Sequence, residues 1–229
     1  MKIGYLQRSS LIDYPTKISA IVFTQGCNFR CPYCHNPELV DPKLFIDPMA
    51  IDEVFAFLKK RQGLLDAVVI TGGEPTLHKD LPQFVYRLKD MGYLVKIDTN
   101  GTNPNMINKL LSDGAVDYIA MDIKAPIKDY ENVVKVEVDK DAIVSSIKMI
   151  MDSDIGYEFR TTLSGSLLAP SDVTKIALMI RGARSYALQR FVSSKHLDED
   201  FIKEHGFSSE AMAELEKEIA PMVQELVIR

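Results

Sequence analysis

The chain has 229 residues, of which 46% are hydrophobic and 26% charged, and its formal net charge is −5. A chain of this size and composition can bury a hydrophobic core without disulfide bonds. The mildly acidic balance gives no reason to expect a nucleic acid partner, and no apolar run approaches the roughly 20 residues that span a membrane. The N-terminal segment lacks the apolar stretch and cleavage site of a signal peptide, so we expect no membrane partner and no export.

Short β-branched segments alternate with amphipathic helical segments along most of the chain. The segments with strand character begin at Ile18, Ala67, Leu94, Tyr118, Tyr157 and Tyr186. The helical segments lie near 48–61, 80–91, 104–113, 138–152 and 171–181. Runs rich in Val and Ile between Gly, Asp and Pro are typical of strands that are buried on both faces. Because these strands alternate with helices, we predict a parallel sheet with right-handed crossovers.

The predicted fold class is α/β, with residues 1–229 forming one domain built as a partial, open TIM-like barrel. About six βα units lie between residues 13 and 191, and the chain is too short for the eight units of a closed barrel. Residues 198–229 are rich in Glu, Ala and Lys, with apolar residues at helical spacing. This segment is therefore predicted to be a C-terminal tail of one or two helices.

All three cysteines lie in one short segment, GCNFRCPYCHN at residues 26–36. Cys27, Cys31 and Cys34 cannot form a disulfide framework, so we interpret them as reduced and expect a cytoplasmic protein. Thiolates that are grouped this closely bind soft metal ions. One alternative is a zinc site that His35 or a distant histidine completes. The other is a four-iron cluster in which one iron has no cysteine ligand.

Polar residues follow each predicted strand at the edge where the carboxyl ends of parallel strands meet. They are Gly72, Gly73 and Glu74 after the second strand, Asp98 after the third, Asp122 and Lys124 after the fourth, Arg160 in the fifth and Gln189 in the sixth. Stability alone does not require polar groups there. We therefore predict a functional site at this edge, beside the cysteines.

The Cys-x3-Cys-x2-Cys spacing after a first strand, with the aromatic Tyr33 before the last cysteine, resembles the radical S-adenosylmethionine (radical SAM) superfamily. A Gly-Gly-Glu segment after the second strand is the second mark of that superfamily, and residues 72–74 supply it. The segments GCNFRCPYCHNPE, DTNG and MDIK are similar to the glycyl-radical-enzyme activases. Within that group they are most similar to the anaerobic ribonucleoside-triphosphate reductase activating proteins.

The resemblance implies a 4Fe-4S cluster on the three cysteines, with S-adenosylmethionine bound to the open iron. Reductive cleavage of this cofactor would allow hydrogen abstraction from a glycine of a partner glycyl radical enzyme. The electron would come from a donor such as flavodoxin or ferredoxin. The residues implied to bind the cofactor are Tyr33, Gly72, Gly73, Glu74, Asp98, Lys124, Arg160 and Gln189. Asp98 and Asp122 could also hold a monovalent cation, Na⁺ or K⁺, as in the formate-lyase activase branch.

Each of these roles has a structural alternative. The two glycines could serve only a tight turn, and Glu74 is more readily structural than catalytic. Asp98 could cap the following helix. Asp122 and Lys124 could form a surface ion pair.

Asp13 stands 14 residues before Cys27, where formate-lyase-type activases carry an aspartate that touches the backbone around the target glycine. We expect Asp13 to reach the rim and to line a lateral opening for the glycine loop. Those activases also place a histidine near the adenine after the sixth strand, and this chain has none there. Gln189, Phe191 or His196 could take that place.

Two other functions stay open at this point. A small-molecule radical SAM enzyme, such as a carboxy-deazaguanine synthase, would need an enclosed pocket with groups for its own substrate. A zinc-stabilised α/β binding module without turnover would instead hold one zinc ion.

Overall fold

The structure of the protein is a computed structural model that describes residues 1–193, 197–198, 201, 203 and 205–229. The strands are β1 (Ile3–Ser10), β2 (Ser19–Thr24), β3 (Ala67–Gly72), β4 (Leu94–Thr99), β5 (Tyr118–Asp122), β6 (Gly156–Leu163), β7 (Tyr186–Arg190) and β8 (Leu226–Ile228). The helices are α1 (Pro37–Val40), α2 (Ile51–Lys59), α3 (Leu81–Asp90), α4 (Pro104–Ser112), α5 (Tyr130–Val134), α6 (Lys140–Met151), α7 (Pro170–Met179) and α8 (Ser209–Ile219). In the described part of the chain, none of these helices has the length and apolar character that crossing a membrane requires.

The eight strands form one sheet in sequential order from β1 to β8. The strands from β2 to β8 are parallel, and β1 runs antiparallel to β2. The sheet is open, because among the described residues its first and last strands do not pair with each other. The predicted α/β fold is confirmed: β2 to β7 are the six predicted strands, and helices connect them.

Two strands were missed by the sequence analysis. β1 precedes the first predicted strand, and its exposed and buried residues do not alternate regularly. β8 lies in the tail that was predicted to be helical; of the residues described in that tail, only those of α8 form an α-helix. The backbone of Arg229 pairs with β7, since its N–H donates to Leu188 at 3.0 Å and its carbonyl accepts from Arg190 at 2.7 Å. Three residues are too few to show the alternating pattern of a strand in the sequence. β8 is recognised only from its pairing with the edge of β7.

The two faces of the sheet differ in chemistry. Successive side chains of a strand point to opposite faces. One set packs against the helices in a continuous core and includes Val22, Ile70, Val95, Ile97, Ile119 and Phe159. The other set faces the interior of the partial barrel and carries Lys96 and Asp98 on β4, Asp122 on β5, and Glu158 and Arg160 on β6. The parallel strands therefore hold a buried layer of charged groups below the cysteine segment.

Candidate active site

A cavity of about 290 Å³ opens at the carboxyl ends of the parallel strands. Its wall includes the predicted residues Cys27, Cys31, Tyr33, Cys34, Gly72, Gly73, Glu74, Asp98, Asp122, Lys124, Arg160 and Gln189. The parallel register of β2 to β7 brings the loops after these strands to one edge. The structure thus brings together the three cysteines and every residue that the resemblance implied for cofactor binding, whereas Asp13 does not line the cavity.

The three cysteines are free thiols on the wall of this cavity. The backbone N–H of Phe29 donates to Cys27 Sγ at 3.4 Å. Burial raises the pKa of Cys27 to about 12 and that of Cys31 to about 11, so both thiols are protonated near neutral pH when no metal is bound. In the described parts of the chain, no three His, Cys, Asp or Glu side chains are grouped to hold a single metal ion.

Side chains that the sequence analysis did not select fix the shape of the cysteine segment. Arg30 Nη1 donates to the carbonyl oxygens of Cys27 and Phe29, at 2.7 Å each. Asn100 Nδ2, after β4, donates to Asn28 Oδ1 at 2.9 Å. The segment is therefore tied to the loop after β4. Asn28 and Arg30 lie between the first two cysteines. Their position in the sequence was the one signal that could have identified them as residues that shape the site.

The two glycines after β3 are required by a close approach of two backbone segments. Gly72 has a φ of 110°, which favours glycine. A β-carbon at Gly72 would lie 2.5 Å from the backbone N of Thr24, and one at Gly73 would lie 2.1 Å from the carbonyl oxygen of Gly26. The absence of both side chains thus serves the contact between the loop after β3 and the loop after β2, while the glycine backbone still faces the cavity.

Glu74 joins two loops of the rim. Its side chain is 1% exposed, and it accepts hydrogen bonds from Thr99 Oγ1 at 2.8 Å and from the backbone N of Asn100 at 2.7 Å. It also accepts from the backbone and the hydroxyl of Thr76. These contacts use both carboxylate oxygens, as expected for a structural residue that holds the loops after β3 and β4 in place.

A chain of ion pairs forms the floor of the cavity. Arg160 Nε donates to Asp122 Oδ1 at 2.7 Å, and Arg160 Nη1 donates to Asp98 Oδ2 at 3.2 Å. Lys124 Nζ donates to Asp122 Oδ2 at 3.1 Å. Burial raises the pKa of Asp122, but the charges of Arg160 and Lys124 outweigh burial and hold it well below its ordinary value.

These contacts bear on two questions that the sequence left open: where Asp122 and Lys124 form an ion pair, and whether Asp122 could hold a monovalent cation. Asp122 and Lys124 do form an ion pair, but it lies in the cavity, where the side chains are 25% and 15% exposed, and not on the surface. The two cations also occupy both oxygens of Asp122, where the predicted Na⁺ or K⁺ would bind. An alkali ion would have to displace Lys124 or Arg160 from that carboxylate.

The Asp98 carboxylate is held between two cations, Arg160 and Lys96. Its Oδ1 atom is buried and has no hydrogen-bond partner among the described residues; Lys96 Nζ forms an ion pair with it at 3.5 Å. The prediction that Asp98 could cap the next helix is wrong, because the cap of α4 is Asn103, whose side chain accepts from the backbone N of Met106. Asp98 is also part of the cavity wall, so its carboxylate supplies negative charge for a cationic group bound there.

Asp13 lies away from the rim, contrary to the expectation. The antiparallel β1 pairs its last residue, Ser10, with Ser19 at the start of β2. The loop between them therefore sits at the amino ends of the parallel strands. Ser10 Oγ donates to Asp13 Oδ2, and the carbonyl of Asp13 accepts from Lys96 Nζ at 2.6 Å. The missed strand β1 is the reason for this difference.

The segment after β7 contacts the cysteine segment, which sequence reasoning did not foresee. The backbone N of Leu197 donates to the carbonyl of Cys34 at 3.0 Å. His35 Nε2 lies 3.2 Å from the carbonyl oxygen of Val192. Of the three candidates for the adenine contact, Gln189 lines the cavity, and the ring of Phe191 packs edge-on against Phe201. The third, His196, lies outside the described residues.

Sequence comparisons identify the family. A family model described as the Radical SAM superfamily matches residues 21–170. The chain belongs to the radical SAM superfamily. A protein of Methanocaldococcus jannaschii with the provisional name of a glycyl-radical enzyme activating enzyme is 36% identical over 226 residues, which cover 96% of this chain and 92% of that protein. The 7-carboxy-7-deazaguanine synthase of Aquifex aeolicus is 41% identical over 87 residues, or 37% of this chain and 36% of that one.

Two solved structures of one protein, SuiB, share this fold. Streptococcus suis SuiB, in complex with its precursor peptide SuiA, superposes with a TM-score of 0.69 over 90% of this radical SAM chain at 12% sequence identity. SuiB bound to S-adenosylmethionine gives a TM-score of 0.68 over 91% of the chain at 11% identity. The chain spans about half the length of SuiB, 47% and 49% in the two comparisons.

Membership of the radical SAM superfamily implies a 4Fe-4S cluster and S-adenosylmethionine, and the cavity fits both. Three free cysteines share one wall and supply the soft thiolate ligands that an iron–sulfur cluster needs. The Asp98 carboxylate on the cavity wall offers a negative charge for an amino group, and Lys124 offers a cation for a carboxylate. The protein is therefore a radical SAM enzyme whose candidate cofactor site is this cavity.

Proposed function

We propose that this radical SAM enzyme removes a hydrogen atom from a backbone glycine of a partner glycyl radical enzyme, of the anaerobic ribonucleotide reductase type. The observation that carries the proposal is the extent of the match to the M. jannaschii protein, 96% of this chain and 92% of that one. The match to the deazaguanine synthase covers 37% of this chain, so it supports the shared cofactor chemistry more than a shared substrate.

The cofactors would be held by groups already on the cavity wall. Cys27, Cys31 and Cys34 would bind three irons of the cluster. When bound, the cluster supplies the electron that cleaves the sulfur–carbon bond of S-adenosylmethionine. The Asp98 carboxylate would accept from the amino group of S-adenosylmethionine, together with the backbone of residues 72–73, and Lys124 would meet the carboxylate of the cofactor.

Other predicted residues would have supporting roles in this proposal. Gln189 would contact the adenine, and Tyr33 would pack beside Lys124, whose Nζ lies 5.7 Å from the centre of the Tyr33 ring. Arg160 would keep Asp98 and Asp122 in position. A one-electron donor, flavodoxin or ferredoxin, would reduce the cluster.

The size of the cavity bears on how a protein substrate could reach the cofactor. Sites for small ligands are roughly 300–1,000 Å³, and this cavity, at about 290 Å³, lies near the lower limit. A folded domain could not enter it. A partner would have to present a single extended loop, with the reacting hydrogen brought to near-contact distance.

The decisive experiment uses the reconstituted enzyme, a chemical reductant, S-adenosylmethionine and a candidate glycyl radical enzyme with deuterium on its glycine α-carbon. Transfer of deuterium into 5′-deoxyadenosine, together with a glycyl radical signal in electron paramagnetic resonance, is expected. The matched control is the same partner with its glycine replaced by alanine, which should give neither signal. Absence of both signals, together with turnover of a purine-like small molecule, would favour a deazaguanine-synthase type of reaction instead.

Lys124→Ala is expected to weaken the binding of S-adenosylmethionine while the iron content stays unchanged. A charge-assisted hydrogen bond contributes about 1.5–3 kcal/mol, which corresponds to roughly tenfold to a hundredfold in Kd. Equilibrium dialysis of cluster-loaded protein measures the effect. Lys109→Ala is the control, because Lys109 is also paired with an aspartate, Asp113 at 3.0 Å, but lies on the exposed surface of α4. Equal affinities for the two variants would show that Lys124 does not contact the cofactor.

A further inference from the structure

Lys96 is a buried lysine that the proposed reaction does not use. It lies on β4 two residues before Asp98, so both side chains face the interior of the sheet. Its side chain is 3% exposed, and lysine is almost never buried to this degree unless it is paired. Its Nζ atom meets three oxygens: the carbonyl of Asp13 at 2.6 Å, Glu158 Oε1 at 3.5 Å and Asp98 Oδ1 at 3.5 Å.

Of the three contacts, the one with Asp98 connects Lys96 to a residue of the cavity wall. Arg160 binds Asp98 Oδ2 at 3.2 Å, while Lys96 faces Oδ1 at a distance beyond a normal hydrogen bond. Two cations on opposite oxygens fix the rotation of the carboxylate. The Oδ1 atom is buried beside Lys96, while Asp98 as a residue is part of the cavity wall.

Glu158 does not explain the presence of Lys96. The second oxygen of Glu158 already accepts from Arg229 Nη2 at 2.8 Å, and the Glu158 side chain is 1% exposed. If Lys96 were apolar, the three carboxylates Asp98, Asp122 and Glu158 would still face three cations, which are Arg160, Lys124 and Arg229. Charge balance alone therefore does not require a lysine at position 96.

We propose that Lys96 is a positioning residue that fixes the rotation of the Asp98 carboxylate on the cavity wall, so that this carboxylate can meet the amino group of S-adenosylmethionine. Through the carbonyl of Asp13, it also ties loop 11–18 to the same carboxylate. Without Lys96, the Asp98 carboxylate would rotate so that both oxygens bind the Arg160 guanidinium, which favours bidentate pairing. This inference rests on the proposed cofactor site, but it does not depend on the identity of the partner protein.

The test compares two variants that each remove one cation from Glu158. Lys96→Met removes the cation that faces Asp98 and loop 11–18. Arg229→Gln removes a cation that contacts neither Asp98 nor this loop. The Kd of S-adenosylmethionine is measured on cluster-loaded protein, together with iron content and amide hydrogen exchange of loop 11–18. Lys96→Met is expected to raise Kd about tenfold, as for loss of a charge-assisted hydrogen bond, and to speed exchange in the loop. Iron content should not change, and Arg229→Gln should keep the wild-type Kd.

Two results would overturn the inference: a wild-type Kd in Lys96→Met, or an equal rise in Kd in Arg229→Gln, which would indicate a general effect on the charged layer. If Lys96→Met does not fold, Lys96→Gln replaces it, because its amide can still donate to the Asp13 carbonyl but carries no charge to face Asp98. The Kd of Lys96→Gln should then rise while exchange in the loop stays slow. Failure of the wild-type protein to bind S-adenosylmethionine would instead overturn the proposed function.

Discussion

Protein that carries Cys31→Ala is expected to hold no stable 4Fe-4S cluster and to leave S-adenosylmethionine uncleaved. The chain has three cysteines, all on the wall of one cavity, so no other thiol can replace the lost ligand. The wild-type protein, purified without oxygen, should be brown and contain about four iron atoms per chain. Iron analysis, visible absorption and 5′-deoxyadenosine formation measure the three consequences.

The fold of Cys31→Ala provides the control for this prediction. Cys31 is 7% exposed, and its replacement by alanine removes a single sulfur atom from a loop. Far-ultraviolet circular dichroism should therefore match that of metal-free wild-type protein. A colourless wild-type protein that binds one zinc ion and takes up no iron on reconstitution would contradict the assignment and favour the non-catalytic zinc module.

Arg160→Met is expected to lower the free energy of unfolding by about 3–5 kcal/mol, the cost of removing one partner from a buried ion pair. Arg160 is 12% exposed and binds two carboxylates, Asp98 and Asp122. Methionine preserves much of the volume but leaves each carboxylate with one lysine at a longer distance, 3.5 Å for Asp98 and 3.1 Å for Asp122. Urea denaturation of the metal-free protein measures the change without any contribution from the cofactors.

Two further variants test the cause of this loss. Arg181→Met changes an exposed arginine and should alter the free energy of unfolding by no more than about 0.5 kcal/mol. The double variant Arg160→Met/Asp122→Asn should recover part of the loss, because it removes the charge of one of the two carboxylates that lost their arginine. If Arg160→Met unfolds at the wild-type urea concentration, the ion pairs at the floor of the cavity do not hold the interior together.

The local patterns of the sequence were sufficient for the family and for most of the cavity wall. Cys27, Cys31 and Cys34 lie close together in one short segment, so their spacing can be read directly from the sequence. The polar residues of the site follow short apolar runs that are recognisable as strands. The parallel arrangement brings the ends of such strands to one edge whatever the details of packing. For that reason Asp98, Lys124 and Arg160 could be placed at the site before the structure was known.

Other features depend on contacts between residues far apart in the chain, and these the sequence did not reveal. The antiparallel pairing of β1 puts Asp13 at the amino ends of the strands, and β8 exists because it pairs with β7. Lys96 and Glu158 are 62 residues apart, yet their side chains meet inside the partial barrel. A strand pattern tells which side chains share a face, but the register and curvature of the whole sheet determine which of them come within hydrogen-bonding distance.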